Sequence, residues 1–341
     1  MTLRLAGIAL AGAVALLLAE VVLRLSGLAA PGGIATVTQR DFLRVPGVYS
    51  PGQHLRSRDN PALPHIVTID SLGYRGSNFS RRKPTGEVRV LFTGDSFTYG
   101  SFVDDSVTVP ALLEAALRPA CPGVRVINGG LGGSTLSDQA RLVSRALPLA
   151  PDLVVVMFSE NDVTDLRQTP MWDRLAINRA RKSRFPASFF YSTARHTALW
   201  NVLLRAKARW DASRMSPGEA QPAEPTDTPA RRQEYVAALS ALRDTLQTHS
   251  LPLVFAAIPT HLTLSGTQSD EQIRWALHSA DSLRLPTADI LSAMRAPGTT
   301  EALYLLPHDG HTSAAGNRMA ATTIATTVLG VQPFMGLCSV Q

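Results

Sequence analysis

Leu153-Val154-Val155-Val156-Met157-Phe158 is an unbroken apolar run, with none of the polar alternation that a strand shows when one face meets water. Strands covered on both faces read this way, and they belong to parallel sheets clad by helices. The run has company. Strand patterns fall at Val88–Thr93, Val124–Asn128, Asp152–Phe158, Leu253–Ile258 and, in shorter form, near Ala288–Leu291. Helical patterns at Val109–Leu117, Leu136–Leu147, Arg231–His249, Asp270–Leu283 and Ser313–Leu329 alternate with them. That order predicts an α/β protein: a three-layer α/β/α domain around a mostly parallel, five-stranded, flavodoxin-like sheet, preceded by one N-terminal hydrophobic helix.

A chain of 341 residues can bury a full core without staples. The formal charge is +6, but only three of the 33 basic residues are lysines (Lys83, Lys182 and Lys207), which points to compositional bias rather than a nucleic-acid surface. One dense basic cluster, Arg179, Arg181, Lys182 and Arg184, reads as a solvated loop face or as a contact for anionic lipid or glycan. Two cysteines, Cys121 and Cys338, cannot make a zinc-type site. In a flavodoxin-like order the first and last helices lie side by side, and one cysteine follows each, so an oxidising compartment favours a Cys121–Cys338 disulfide.

Residues 1–30 read as a targeting or anchoring segment. Leu5 to Ala19 carries no charge, and the span reaches Leu23 if Glu20 is tolerated, about 28 Å of helix. The longer span suits an uncleaved membrane anchor with the globular part outside the cytoplasm. The shorter one suits a signal peptide cut near Gly27-Leu28-Ala29, releasing a secreted protein. Residues 31–85 form an extended connector punctuated by Pro-Gly pairs, with a short strand at Ile66–Ile69 and a turn at Ser71–Gly76. The main domain covers 86–332, with an insertion at 163–230 and a tail at 333–341. The insertion is rich in aromatics (Trp172, Phe185, Phe189, Phe190, Tyr191, Trp200, Trp210) and reads as a lid or acceptor-binding wall, or as an ordinary inserted helix.

Three loops at strand ends carry polar residues toward one edge of the sheet. They are Gly94-Asp95-Ser96, Asn128-Gly129-Gly130-Leu131-Gly132-Gly133-Ser134 and Ser159-Glu160-Asn161-Asp162. A serine hydroxyl is a weak nucleophile until a base takes its proton. His308-Asp309-Gly310-His311, far along the chain, offers one. Glycine-loop N–H groups and an asparagine amide can meet the oxygen that becomes negative during attack on a carbonyl. Simpler roles exist for each residue: Ser96 as a helix cap, the glycine run as a tight turn, Asn161 as a turn residue, Asp309 and His311 as surface loop. A dinucleotide loop fails because Thr135 stands where Gly130-x-Gly132 needs a third glycine. An α/β-hydrolase elbow fails at Thr98, and a P-loop lysine is missing.

Taken together, these blocks resemble the SGNH/GDSL hydrolase superfamily over roughly Val88 to Leu329. Gly94-Asp95-Ser96-Phe97-Thr98-Tyr99-Gly100 is similar to its first block, which implies Ser96 as nucleophile and its N–H as an oxyanion donor. The second block's glycine donor falls on Gly133, and the third block's oxyanion asparagine on Asn161. In the last block the resemblance implies His311 as base, with Gly316 five residues later, and Asp309 as the acid that orients it. Two departures stand out: Ser159 replaces a glycine, and the acid-to-histidine spacing is Asp-x-His, a form also found in acetyltransferase-like envelope branches. His308 is a minor alternative as base, and Asp95, Glu160 and Asp162 read as structural hydrogen-bond partners. The resemblance implies ester hydrolysis through an acyl-serine, with no metal or cofactor, on an acyl ester of a glycan or lipid. Alternatives are O-acyl transfer to an envelope polysaccharide and a catalytically silent glycan-binding protein.

Overall fold

The structure, a computed structural model, describes residues 2–26, 45–57, 60, 62–166, 173, 177, 180, 184, 186, 197–200, 202–203, 227–296 and 302–338. The chain divides into two compact units, Met1–Thr36 with Asp173–Glu224 and Val37–Trp172 with Pro225–Gln341. The smaller unit contains α1 (Thr2–Leu25). Its leucines and valines from Leu10 to Leu25 are largely exposed, and the Glu20 carboxylate accepts hydrogen bonds from the Ala198 and Leu199 N–H groups. Among the described residues no single helix is long and apolar enough to cross a membrane. Most of the 163–230 insertion, including Trp172, Phe185, Phe189, Phe190, Tyr191 and Trp210, lies outside the described residues, as do Arg179, Arg181 and Lys182 of the basic cluster.

The larger unit holds both sheets. β1 (His54–Ser57) and β2 (His65–Thr68) pair as an antiparallel hairpin. The main sheet consists of β3 (Val88–Gly94), β4 (Val124–Gly130), β5 (Leu153–Phe158), β6 (Leu253–Ala257) and β7 (Thr287–Asp289), in the order β4-β3-β5-β6-β7. Every neighbouring pair is parallel, which is the flavodoxin-like arrangement. β3, β5 and β6 are buried at every position; for β5 and β6 this is the physical counterpart of their unalternating sequences, whereas β3 buries Arg89 and Thr93 as well. The last strand is shorter than its sequence pattern. The Asp289 side chain accepts a hydrogen bond from Ser292 N–H at 3.0 Å and starts a helix, so Ile290 and Leu291 belong to that helix rather than to the strand.

Helices cover both faces. α3 (Val109–Leu117) and α10 (Ala314–Leu329) pack against each other on one side, joined by α9 (Ile290–Met294). On the other side lie α4 (Leu136–Ala146), α6 (Pro229–Thr248) and α8 (Glu271–Ser282). Short helices α2 (Ser96–Tyr99), α5 (Asn161–Asp165) and α7 (His261–Leu264) follow the carboxyl ends of β3, β5 and β6. The stretch expected as a tail carries α11 (Gln332–Cys338), whose Phe334 and Cys338 are buried in the core with α3. The expected disulfide is present: Cys121, just past α3, is bonded to Cys338 with their Cα atoms 4.8 Å apart.

Candidate active site

The end of β3 is level with the ends of its neighbours, Gly94 standing beside Gly130 and Met157 in register. The chain turns there into α2 with almost no room to spare. A Cβ on Gly94 would come within 2.2 Å of Thr98 Oγ1, and one on Gly130 within 2.1 Å of the Tyr99 nitrogen. Only glycine lets the helix sit this close to the strand ends. Asp95 caps the helix by accepting from Phe97 N–H at 2.9 Å, and Ser96 is the first residue inside it.

Ser96 and His311 meet although 215 positions separate them: Ser96 Oγ lies 2.8 Å from His311 Nε2. On the other side of the ring, His311 Nδ1 is 2.5 Å from Asp309 Oδ1, an oxygen that also accepts the His311 backbone N–H at 2.8 Å. A carboxylate at Nδ1 holds the proton there and leaves Nε2 free to accept from the serine hydroxyl. His308 is exposed, and it is His311 that faces the Ser96 hydroxyl. Gly316 is needed because α10 starts against the loop before it; a Cβ there would meet the Leu303 carbonyl at 2.2 Å.

Two phenylalanines wall the imidazole, with ring centroids 4.9 Å (Phe97) and 5.6 Å (Phe102) away. Phe102 holds φ at +64°, a left-handed conformation that costs a bulky side chain about 1–3 kcal/mol.

The remaining sequence-predicted residues lie on the two flanking loops. Gly133 adopts φ +70°, and its neighbour Gly132 lies against Ser96, with a Cβ position 3.8 Å from Ser96 Cβ. Leu131 N–H and the Ser134 hydroxyl both donate to the Gly94 carbonyl, at 3.0 and 3.2 Å, which ties this loop to the Gly-Asp-Ser turn. Asn161 is the first residue of α5; its Nδ2 donates to Asp165 Oδ2 at 3.1 Å, and its Oδ1 lies 2.6 Å from the Ser159 hydroxyl. An amide nitrogen carries two hydrogens, so one bond to Asp165 does not exhaust it.

Ser159 has a clear task. Its hydroxyl is 2.8 Å from Asp95 Oδ2, giving the capping carboxylate a donor that glycine could not supply. Asp95 and Asp162 are fully buried beneath the site. Burial pushes both carboxyls up, and for Asp162 the nearby Asp95 charge adds to the effect. Glu160 turns away and fastens the loop to α7, accepting from Thr260 N–H at 2.8 Å and the Thr263 hydroxyl at 2.6 Å. All three acids therefore have structural partners. Among the described residues no group of three or more His, Cys, Asp or Glu could hold a metal ion.

Four contributors went unread in the sequence: Ser159 as a partner of Asp95, Phe102 as a wall, and Tyr49 and Arg75 from the stretch taken as a connector. The turn Ser71–Gly76 was the visible signal for Arg75, but nothing local tells where its guanidinium reaches.

Known structures of similar shape include Axe2, an acetylxylan esterase from Geobacillus stearothermophilus, at 17% identity over 70% of this chain and 93% of that one, with a TM-score of 0.41. Another is the acetyl xylan esterase AlAXEase, at 16% identity over 71% of this chain and 100% of that one, with a TM-score of 0.43. A sequence search among curated proteins gives no match. The sequence model of the GDSL-like lipase/acylhydrolase family, by contrast, matches residues 92–319, from the middle of β3 to the first turns of α10. That span contains the Gly-Asp-Ser turn, both flanking loops and the histidine that reaches back to Ser96, and on this match the chain belongs to the GDSL-like lipase/acylhydrolase family and is a hydrolase acting on esters.

Proposed function

We propose that the protein cleaves acyl esters through an acyl-serine intermediate, with Ser96 as nucleophile, His311 as general base and acid, and Asp309 as the residue that orients His311. The observation that carries this reading is the continuous line from Asp309 Oδ1 through the imidazole to Ser96 Oγ, with contacts of 2.5 and 2.8 Å. His311 Nε2 takes the hydroxyl proton as Ser96 Oγ bonds to the ester carbon, and the carbonyl oxygen becomes negative. Ser96 N–H, Gly133 N–H and the Asn161 amide are the proposed donors to that oxygen. The tetrahedral centre then breaks its bond to the alcohol oxygen, which leaves with the proton from His311. Water, deprotonated by the same nitrogen, attacks the acyl-serine and releases the acid. No step calls on a group beyond these side chains and water.

The substrate we propose is an O-acyl ester of an envelope glycan or a lipid, reached by a protein tethered at a membrane through α1. The tether is supported by the uncharged run from Leu5 to Ala19 and by the exposure of Leu16, Leu17, Leu18, Val21 and Val22, which suits hydrocarbon better than water. The test is a fluorophosphonate probe and a short-chain nitrophenyl ester. Labelling that maps to Ser96, together with turnover that Ser96→Ala abolishes, is expected; an unlabelled protein with no turnover overturns the reading. Fractionation of the full chain tests the tether: recovery in the membrane pellet after a carbonate wash is expected, and a freely soluble full-length chain refutes it.

A further inference from the structure

The segment before the family match is built into the machinery of the site. Arg75 lies outside residues 92–319, is buried, and directs most of its guanidinium at one turn. A guanidinium has five N–H donors. Here Nε donates to Asp105 Oδ1 at 2.8 Å. Nη1 donates to the Tyr99 and Gly100 carbonyls at 3.0 and 2.6 Å. Nη2 donates to the Ile66 and Val103 carbonyls at 3.2 and 2.6 Å. Four of these five acceptors belong to the turn from Tyr99 to Asp105, which leaves the nucleophile helix. The guanidinium also lies over the Tyr99 ring, 4.7 Å from its centroid.

Between the clamped carbonyls of Gly100 and Val103 sits Phe102, the left-handed residue whose ring walls His311. A bulky residue keeps such a backbone only where its surroundings over-determine it, and the two Arg75 nitrogens do so from both sides. Neighbouring residues of the same segment grip the other loops of the site. The Tyr49 hydroxyl donates to the Gly130 carbonyl at 3.3 Å, and Asn60 Nδ2 donates to the His308 carbonyl at 3.2 Å.

We propose that Arg75 is a positioning residue for the Ser96–His311 pair: by holding the Tyr99–Val103 turn it keeps Phe102 against the imidazole and the nucleophile helix in place. The role rests on the hydrolytic reading above for its consequence, but its geometry can be tested apart from turnover.

The experiment uses full-length protein carrying [13Cε1]histidine, with His311→Gln to assign the His311 signal and Phe102→Leu to show where that signal goes without the aromatic ring. In Arg75→Lys, which keeps a positive charge but cannot hold five acceptors, the His311 signal is expected to move toward its Phe102→Leu position while the His249 and His278 signals stay. In the same folded variant kcat is expected to fall by about ten- to a hundredfold, the scale of a small misplacement of reacting groups, with KM within about twofold. If Arg75→Lys does not fold, Asp105→Asn, which weakens one of the five contacts, must move the same signal and lower kcat in the same sense. A folded Arg75→Lys whose His311 signal and kcat match the parent overturns the proposal, as does a change confined to KM. A parent that neither turns over esters nor takes the fluorophosphonate label overturns the hydrolytic reading instead, and the histidine signal still decides whether Arg75 positions the ring.

Discussion

Near the amino end of β3 the polar groups are closed on one another, whereas beyond its carboxyl end a serine and a histidine stay partly exposed. Arg89, in β3 near its amino end, is fully buried, and its guanidinium is taken up by Glu87 and the carbonyls of Ser80, Arg81 and Leu149. Asp152 nearby accepts from Arg89 N–H and from Lys83, and the Cys121–Cys338 bond joins α3 to the C-terminal helix. At the other end, Ser96 Oγ faces the His311 imidazole, and both side chains are partly exposed. One end of the sheet thus carries stability and the other carries reactivity, and substitutions should separate the two.

The sharpest way to break the comparison is Ser96→Ala. Loss of turnover on the order of 10⁶-fold is expected, with the thermal midpoint unchanged, measured by nitrophenyl ester hydrolysis and by calorimetry. Turnover that survives in this variant ends the division.

Next come two aspartates at the same end with different work. Asp309 is partly exposed and pairs with His311; Asp95 is buried and caps α2. Asp309→Asn should cost about 10⁴-fold in kcat because the wrong imidazole tautomer is favoured. Asp95→Asn keeps a capping oxygen and should change kcat by less than about tenfold and stability by under about 1 kcal/mol. Equal losses in the two would erase the distinction drawn between them.

The amino end is probed by Cys121→Ser. Removing a bond between residues 217 apart should lower unfolding free energy by about 2–5 kcal/mol in denaturant titration while kcat at 25 °C holds. A parallel fall in kcat would mean that the two ends are coupled.

The last effect, on stability alone and confined to a pH window, concerns Asp70, in the turn that leads to Arg75. Burial pushes its carboxyl from 3.8 up to about 6, so the folded chain favours the neutral form. That contribution to stability is complete below the unfolded value and is lost as pH rises through about 6. Asp70→Asn retains an oxygen for the Leu72 and Tyr74 N–H groups, both 2.8 Å from Asp70 Oδ1. It should therefore be more stable than the parent by up to about 3 kcal/mol at pH 8, the gap closing toward pH 4. A gap that widens as pH falls would reverse the sign of the assignment.

Much of this division was legible before any coordinates. The unalternating strand at Leu153–Phe158 announces burial on both faces, because a side chain that meets no water needs no polar neighbour. Helix α3 falls at Val109–Leu117 as its pattern predicts, since Thr108 and Pro110 mark its start locally. The short last strand was overextended because the cap that ends it, Asp289 on Ser292, depends on a side-chain bond the apolar pattern hides.

The chain's own order of residues determined the class of fold and the strand ends that hold the Gly-Asp-Ser turn, because periodicity and turn chemistry act between near neighbours; Ser96, Asp309 and His311 were singled out by the resemblance of their blocks to the SGNH/GDSL pattern. Only the tertiary structure decided that Arg75 gives four of its five hydrogen bonds to the Tyr99–Asp105 turn, that Phe102 is held left-handed against His311, and that the Ser159 hydroxyl serves Asp95. Those contacts join residues dozens of positions apart. Their partners are selected by which buried carbonyl or carboxyl lies within reach once the sheet has closed, and no local pattern in the chain encodes that.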